Sequence, residues 1–188
     1  MIVVGLDLSL TSTGIARINT TSLTPATVTR ITSKAPPTER GPKGKPLPPT
    51  LQQRTNRLTT LRDQIVQVSN DADLFVIETP AYSSKTGSTH DRSGLWWLVI
   101  EKLDYCGRYD VAEVTTGGRM KYATGKGNAS KDAVLAAVVR RYADVDVTGN
   151  DEADALILAA MGARHLGAPI DDLPKTHLAA MDAVRWPN

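Results

Sequence analysis

Four carboxylates in this 188-residue chain stand at positions that suit chemistry better than packing. Asp7 ends the apolar run of residues 2–6 in MIVVGLDLSLTSTGIAR, and Glu78 ends the apolar run of DLFVIE. Short continuous apolar runs read as strands buried on both faces. An acid delivered by such a strand loses hydration unless hydrogen bonds, a cation or a metal compensates. Asp151 and Asp154, three residues apart in NDEADALILAAMGARHLG, fall on one face of the start of a helix. Singly, each acid has an ordinary explanation: a strand-ending Asp bonds turn amides, and acids in a first helical turn cap it or complement its dipole. As a set they could meet only in a pocket where mutual repulsion demands cations, and an oxygen-only donor set suits Mg²⁺ or Mn²⁺.

A second group of residues points to a polyanion. Residues 115–142 carry Arg119, Lys121, Lys126, Lys131, Arg140 and Arg141 against one acid, Asp132, whereas the stretch after Tyr142 is predominantly acidic. The net charge is only +2, so its distribution matters more than its sum. The glycine-rich, lysine-bearing stretch before residue 130 suits a phosphate, yet it has no Gly-Lys-Ser/Thr at P-loop spacing, which disfavours a nucleoside triphosphate. Lys121, Lys126 and Lys131 are the candidates for phosphodiester contact, with a solvated surface lysine as the plain alternative for each.

The elements that must position these groups follow from patterning. Residues 2–6, 14–19 and 26–33 read as three antiparallel strands joined by polar turns, residues 73–78 as a central strand and 110–114 as a further short one. Thr50 is a candidate N-cap for a helix over 50–69, with Leu51, Leu58, Leu61, Ile65 and Val68 along one face. Further helices are expected over about 92–106, over 130–142 with Ser130 as N-cap, and from 150 or 151 to about 167. Residues 115–129 read as a loop. Residues 34–49, KAPPTERGPKGKPLPP, are dense in Pro, Gly and basic residues and read as an exposed, mobile loop with no regular element. Trp96 and Trp97 point ~100° apart on their helix, so one can enter the core while the other faces a partner or the solvent.

With 41% hydrophobic residues the chain is long enough for one well-filled core, read as a single domain over 1–188 with residues 168–188 as a C-terminal tail. Cys106 is the only cysteine, so no intrachain disulfide is available and a reducing cytoplasm fits. The longest apolar run, residues 95–100, is far too short to span a bilayer, and the first residues are a strand rather than a signal peptide.

GLDLSLTSTGIA, FVIETPAY, VAEVTTGGRMKYATGKGNASKDAV and NDEADALILA, in this order, resemble the RuvC family of Holliday-junction resolvases within the RNase H-like superfamily. The resemblance leaves out residues 34–49 and the stretch after Gly167. It implies an α/β, RuvC-type, five-stranded mixed β-sheet flanked by α-helices. It also implies that Asp7, Glu78, Asp151 and Asp154 are catalytic, metal-binding carboxylates, with two Mg²⁺ ions per site and Mn²⁺ able to substitute. Lys121 and Lys131 align with basic residues that approach DNA in that family, and Arg119 and Lys126 join them as DNA-contacting candidates. Where the family usually has an aromatic residue three places after its second acid, this chain has Ala81 with Tyr82 beside it, and Tyr82 takes that expectation. The resemblance further implies a homodimer through the helix bearing the two tryptophans. The basic insert and the long connection over 82–91 look more like phage-encoded relatives with broader branched-DNA substrates. The expected activity is paired phosphodiester hydrolysis at four-way junctions, and at forks and flaps, leaving 5′-phosphates. The alternatives are an RNase H-like nuclease with another nucleic-acid substrate and a non-catalytic junction-binding protein. An ATP-dependent phosphotransferase of the actin-like or sugar-kinase type opens similarly, but needs two related domains for which the chain is too short.

Overall fold

A computed structural model describes residues 1–22, 26–80, 89–108 and 110–187. The chain opens with β1 (Ile2–Asp7), β2 (Ser12–Asn19) and β3 (Thr27–Thr32), continues through α1 (Leu51–Ser69), β4 (Leu74–Glu78), α2 (Thr89–Tyr105) and β5 (Val111–Val114), and closes with α3 (Thr116–Thr124), α4 (Lys131–Arg141), α5 (Asn150–His165) and α6 (Lys175–Leu178). The sheet order is β3-β2-β1-β4-β5. β1, β2 and β3 form the expected antiparallel meander, and β4 and β5 add in parallel on the other side of β1.

Strand pleating sorts the side chains onto two faces. Val4, Leu6, Ile15, Phe75 and Ile77 pack against Leu61 and Ile65 of α1 and against Leu95, Val99 and Leu103 of α2. Val3, Ala16, Leu74 and Val76 face α5, over which α3 and α4 place Tyr122, Ala123, Val134 and Val138. Every residue of α5 from Glu152 to Ala163 is buried, as expected of a helix apolar nearly all round. The helix lies close because β1 and β2 offer it glycine: a Cβ on Gly5 would stand 2.1 Å from the Ala155 carbonyl oxygen, and one on Gly14 would stand 1.9 Å from that of Asp151.

The caps follow the sequence closely. Thr50 closes a capping box with Gln53, and Ser130 accepts from the Ala133 amide. The buried face of α1 uses Leu61, Ile65 and Val66, while Leu51 and Val68, expected on that face, are exposed. The stretch read as a loop over 115–129 is in part helical. Thr115 accepts from the Gly118 amide at one end of α3, and Gly125 caps the other at φ 80° in the left-handed region. Gly117 and Gly118 lower its helical propensity, and burial of Tyr122 and Ala123 outweighs them. Residues 34–49 are almost wholly exposed but not featureless: Pro42–Gly44 makes a 3₁₀ turn, and Leu47 N donates to Glu39 O at 2.8 Å. Among the described residues no helix is long and apolar enough to cross a membrane.

The stretch after Gly167 is stitched to the core. The Asp171 side chain is fully buried and accepts from Tyr122 Oη at 3.0 Å, from Tyr142 Oη and from Arg164 Nη2 at 2.5 Å, joining α3, the C-cap of α4 and α5. Burial and the Asp171 charge push both tyrosine hydroxyls upward in pKa. Replacing Asp171 by Ala is expected to lower stability by about 2 kcal/mol, since three donors lose a charged acceptor while Arg164 stays partly hydrated. An unchanged midpoint in urea unfolding would refute that role.

Candidate active site

Register and pleat bring the two strand-end acids together. β1 and β4 run parallel with Leu6 opposite Ile77, so Asp7 and Glu78 are side by side at the carboxyl ends of adjacent central strands. Val3 and Gly5 on β1, and Leu74 and Val76 on β4, face α5, and alternation sends Asp7 and Glu78 to the same side. Beyond Asp7 the Ser/Thr turn is tied by Thr13, which accepts from Ser9 N at 3.1 Å and donates to Ser9 O at 2.9 Å. Opposite Asp7 in the ladder is Gly14, on which the first turn of α5 sits, and that seat brings Asp151 and Asp154 to the strand ends.

All four acids line one cavity of about 300 Å³, together with Arg119, Lys131 and Trp96. Burial, with Glu78 and Asp154 nearby, pushes the Asp7 carboxyl up to about 8 against the pull of Arg119. Asp154, 5% exposed, is pushed up to about 6 by burial and Glu78, while Arg119 and Lys131 oppose the shift. Arg119 is 3% exposed; its Nε donates to Glu78 Oε2 and its Nη1 to Asp154 Oδ1. Burial lowers its pKa, and Glu78, Asp154 and Asp7 more than offset that, for a net rise. Thr116 Oγ1 donates to Glu78 Oε1 at 2.7 Å, and Trp96 Nε1 donates to the Glu78 carbonyl at 3.0 Å, fixing α2 beside the strand end.

The fifth acid of this neighbourhood has a different role. Glu152 Oε2 accepts from Thr148 N at 2.6 Å and Thr148 Oγ1 at 2.8 Å, and Oε1 pairs with Arg30 Nε at 3.0 Å. Glu152 thus anchors the start of α5 to β3 and keeps its oxygens out of the cavity.

The basic candidates separate. Lys131 is exposed at the first position of α4 and lines the acid cavity. Lys126 lies in a second groove with Arg140, Arg141 and His177, and Lys121 is half-buried on α3 and lines neither. Arg119, grouped with them in the sequence reading, is not a surface cation: it is buried between two of the acids. Tyr82 lies outside the described residues. Sequence reasoning also missed the parts of Thr116 and Trp96, although a threonine and an arginine three residues apart within a basic run carried a faint signal.

The donor chemistry fits a hard divalent cation: carboxylate oxygens from β1, β4 and α5, with no imidazole or thiolate among the described residues that line the cavity. As the side chains stand, no three His, Cys, Asp or Glu among the described residues close on a single point. The guanidinium of Arg119 stands between Glu78 and Asp154.

The mixed five-stranded sheet with helices on both faces matches the RuvC type of RNase H-like fold. Thermus thermophilus RuvC superposes with a TM-score of 0.61 at 15% identity, over 89% of this chain and 98% of that one. T. thermophilus RuvC in complex with a Holliday junction substrate gives 0.59 at 16%, over 89% and 97%. The yeast mitochondrial Holliday junction resolvase Ydc2 gives 0.52 at 10%, over 84% and 75%. No family model matches the sequence, and no curated protein matches it.

Proposed function

We propose that this protein is a divalent-metal-dependent DNA endonuclease that resolves four-way junctions, with forks and flaps as related substrates. The observation that carries the reading is the convergence of Asp7, Glu78, Asp151 and Asp154 on one cavity with Lys131 at its side. It is supported by the shared fold with T. thermophilus RuvC, one of whose structures holds a Holliday junction. Asp7, Glu78, Asp151 and Asp154 hold the metal. A pair of Mg²⁺ ions, or Mn²⁺ in their place, supplies when bound the Lewis acidity that in-line hydrolysis of a phosphodiester requires, leaving a 5′-phosphate. Lys131 offers its ammonium to the phosphate entering the cavity, and Lys121 and Lys126 neutralise phosphates of the arms, contacts that position DNA without reading its sequence.

The test is cleavage of an end-labelled four-way junction, a flap and an RNA–DNA hybrid with Mg²⁺ and with chelator. Metal-dependent, paired nicking of the junction is expected. Preference for the hybrid would make the protein an RNase H, and tight junction binding without cleavage a binding protein. Replacing Lys121 or Lys131 by Ala is expected to reduce the slope of log affinity against log salt by roughly one unit each, with stability unchanged. An unaltered slope in both returns these lysines to plain surface charges.

Two such sites suit a two-fold DNA junction when the protein is an isologous dimer. Trp97 of α2 is 65% exposed, its ring edge-on to the half-buried Trp96 at 4.8 Å, and an outward indole is a good interface anchor. Replacing Trp97 by Ala is expected to raise the dimer dissociation constant, because burying an indole contributes a few kcal/mol. Replacing Trp96 should instead lower thermal stability, since it loses the bond to Glu78. Sedimentation across protein concentration distinguishes them, and wild-type protein that stays monomeric at high concentration would end the dimer proposal.

A further inference from the structure

Glu78 has a donor on each of its two oxygens: Thr116 Oγ1 on Oε1 and Arg119 Nε on Oε2. The guanidinium that holds Oε2 also holds Asp154 Oδ1, so one side chain from α3 ties the end of β4 to the second turn of α5. Arginine suits this place as lysine does not, being permanently charged, weakly hydrated and forked, so that two of its nitrogens serve two carboxylates at once. Four carboxylates around one cavity repel each other, and removing a single cation from a buried cluster leaves uncompensated charge. The same two carboxylates are among the four that would hold a divalent ion.

We infer that Arg119 is the resident counter-ion of the acid cluster: it holds Glu78 and Asp154 together in the metal-free protein and competes with divalent ions for them. The inference rests on the reading of the site as a metal-dependent nuclease centre and adds a residue that sets metal affinity. Metal and guanidinium cannot both take Glu78 Oε2 and Asp154 Oδ1 in the present arrangement, so binding of one weakens the other. Arg119 is therefore a positioning residue whose loss acts in opposite directions on two measurements. Metal-free protein becomes less stable, and metal binds more tightly.

The experiment is calorimetric titration of the full chain with Mn²⁺, without DNA, on wild type, Arg119→Gln and Arg119→Lys, with thermal melts in chelator alongside. Arg119→Gln is expected to bind Mn²⁺ about tenfold more tightly or better, within the usual range for coupled ligands, and to melt lower than wild type in chelator. Arg119→Lys keeps the charge but loses the fork, and is expected to fall between the two in affinity; it also serves as the fold-safe variant should the glutamine protein not fold. A folded variant that binds Mn²⁺ no more tightly than wild type overturns the counter-ion role. If wild type nevertheless cuts junctions with Mg²⁺, only this role fails and the nuclease reading stands. If none of the three proteins binds Mn²⁺ and no junction is cut, the nuclease reading falls and the inference with it.

Discussion

Replacing Asp7 by Asn is expected to reduce Mg²⁺-dependent cleavage of a four-way junction by about a hundredfold or more, while junction binding in chelator stays near wild type. Altering groups that merely orient metal ligands already changes affinity or activity by roughly 10–100-fold, and Asp7 is proposed as a ligand itself. It stands at the end of β1 among Glu78, Asp151 and Asp154, so its loss removes one of only four carboxylates around the cavity among the described residues. Glu78→Gln, Asp151→Asn and Asp154→Asn should behave alike. An Asp154→Asn protein that cut at near the wild-type rate would remove that residue from the assignment.

The same substitution should act on stability with the opposite sign. Burial and the adjacent carboxylates raise the Asp7 carboxyl from 3.8 to about 8, so between those values the folded chain holds a proton that the unfolded chain has released. Stability then falls as pH rises through this window and levels off above it. Asp154, raised to about 6, adds a shorter decline of the same sign. In chelator, Asp7→Asn should therefore match wild type near pH 4 and melt higher at pH 8. Parallel melting curves at both pH values would show that Asp7 is not held protonated.

What the sequence disclosed about this site divides along a physical line. Asp7 and Glu78 were legible because an acid closing an apolar strand is a local pattern, and Asp151 and Asp154 because helical spacing is local too. Their meeting depends on parallel pairing of β1 with β4, which no short window specifies, yet the period-two pleat makes it follow once the pairing exists. Arg119 was misplaced because a basic run looks like a surface until one member turns inward, and only long-range neighbours, Glu78 and Asp154, decide which one does. The α3 helix was missed because two glycines suppress local propensity while the stabilising burial of Tyr122 and Ala123 comes from distant parts of the chain. Asp171 was invisible for a like reason: its partners are Tyr122 on α3, Tyr142 just after α4 and Arg164 on α5.

The close seat of α5 on glycine yields the largest expected stability effect. Gly14 pairs with Asp7 across the β1–β2 ladder, and the modest volume of a methyl group there would overlap the Asp151 carbonyl, with its oxygen at 1.9 Å and its carbon at 2.4 Å. These are backbone atoms, so no rotamer change relieves the clash; the first turn of α5 must lift or β2 must bend. Gly14→Ala is therefore expected to lower unfolding stability by about 3 kcal/mol or more, the upper range for overpacking. Because the displaced turn carries Asp151, the folded remainder should also lose cleavage activity beyond what its folded fraction explains. Gly5→Ala meets the Ala155 carbonyl oxygen at 2.1 Å and should cost about as much stability, but it presses one turn further along and should disturb Asp151 less. Gly94 in α2 is the control: its added Cβ would meet only Leu58 Cδ1, at 3.6 Å, so Gly94→Ala should be neutral or stabilising by up to about 1 kcal/mol from helix propensity. Urea unfolding of the three variants reads the series directly. A Gly14→Ala protein with the stability of wild type would mean that α5 does not rest on β2 as closely as this arrangement requires, and would take with it the account of how Asp151 reaches Asp7.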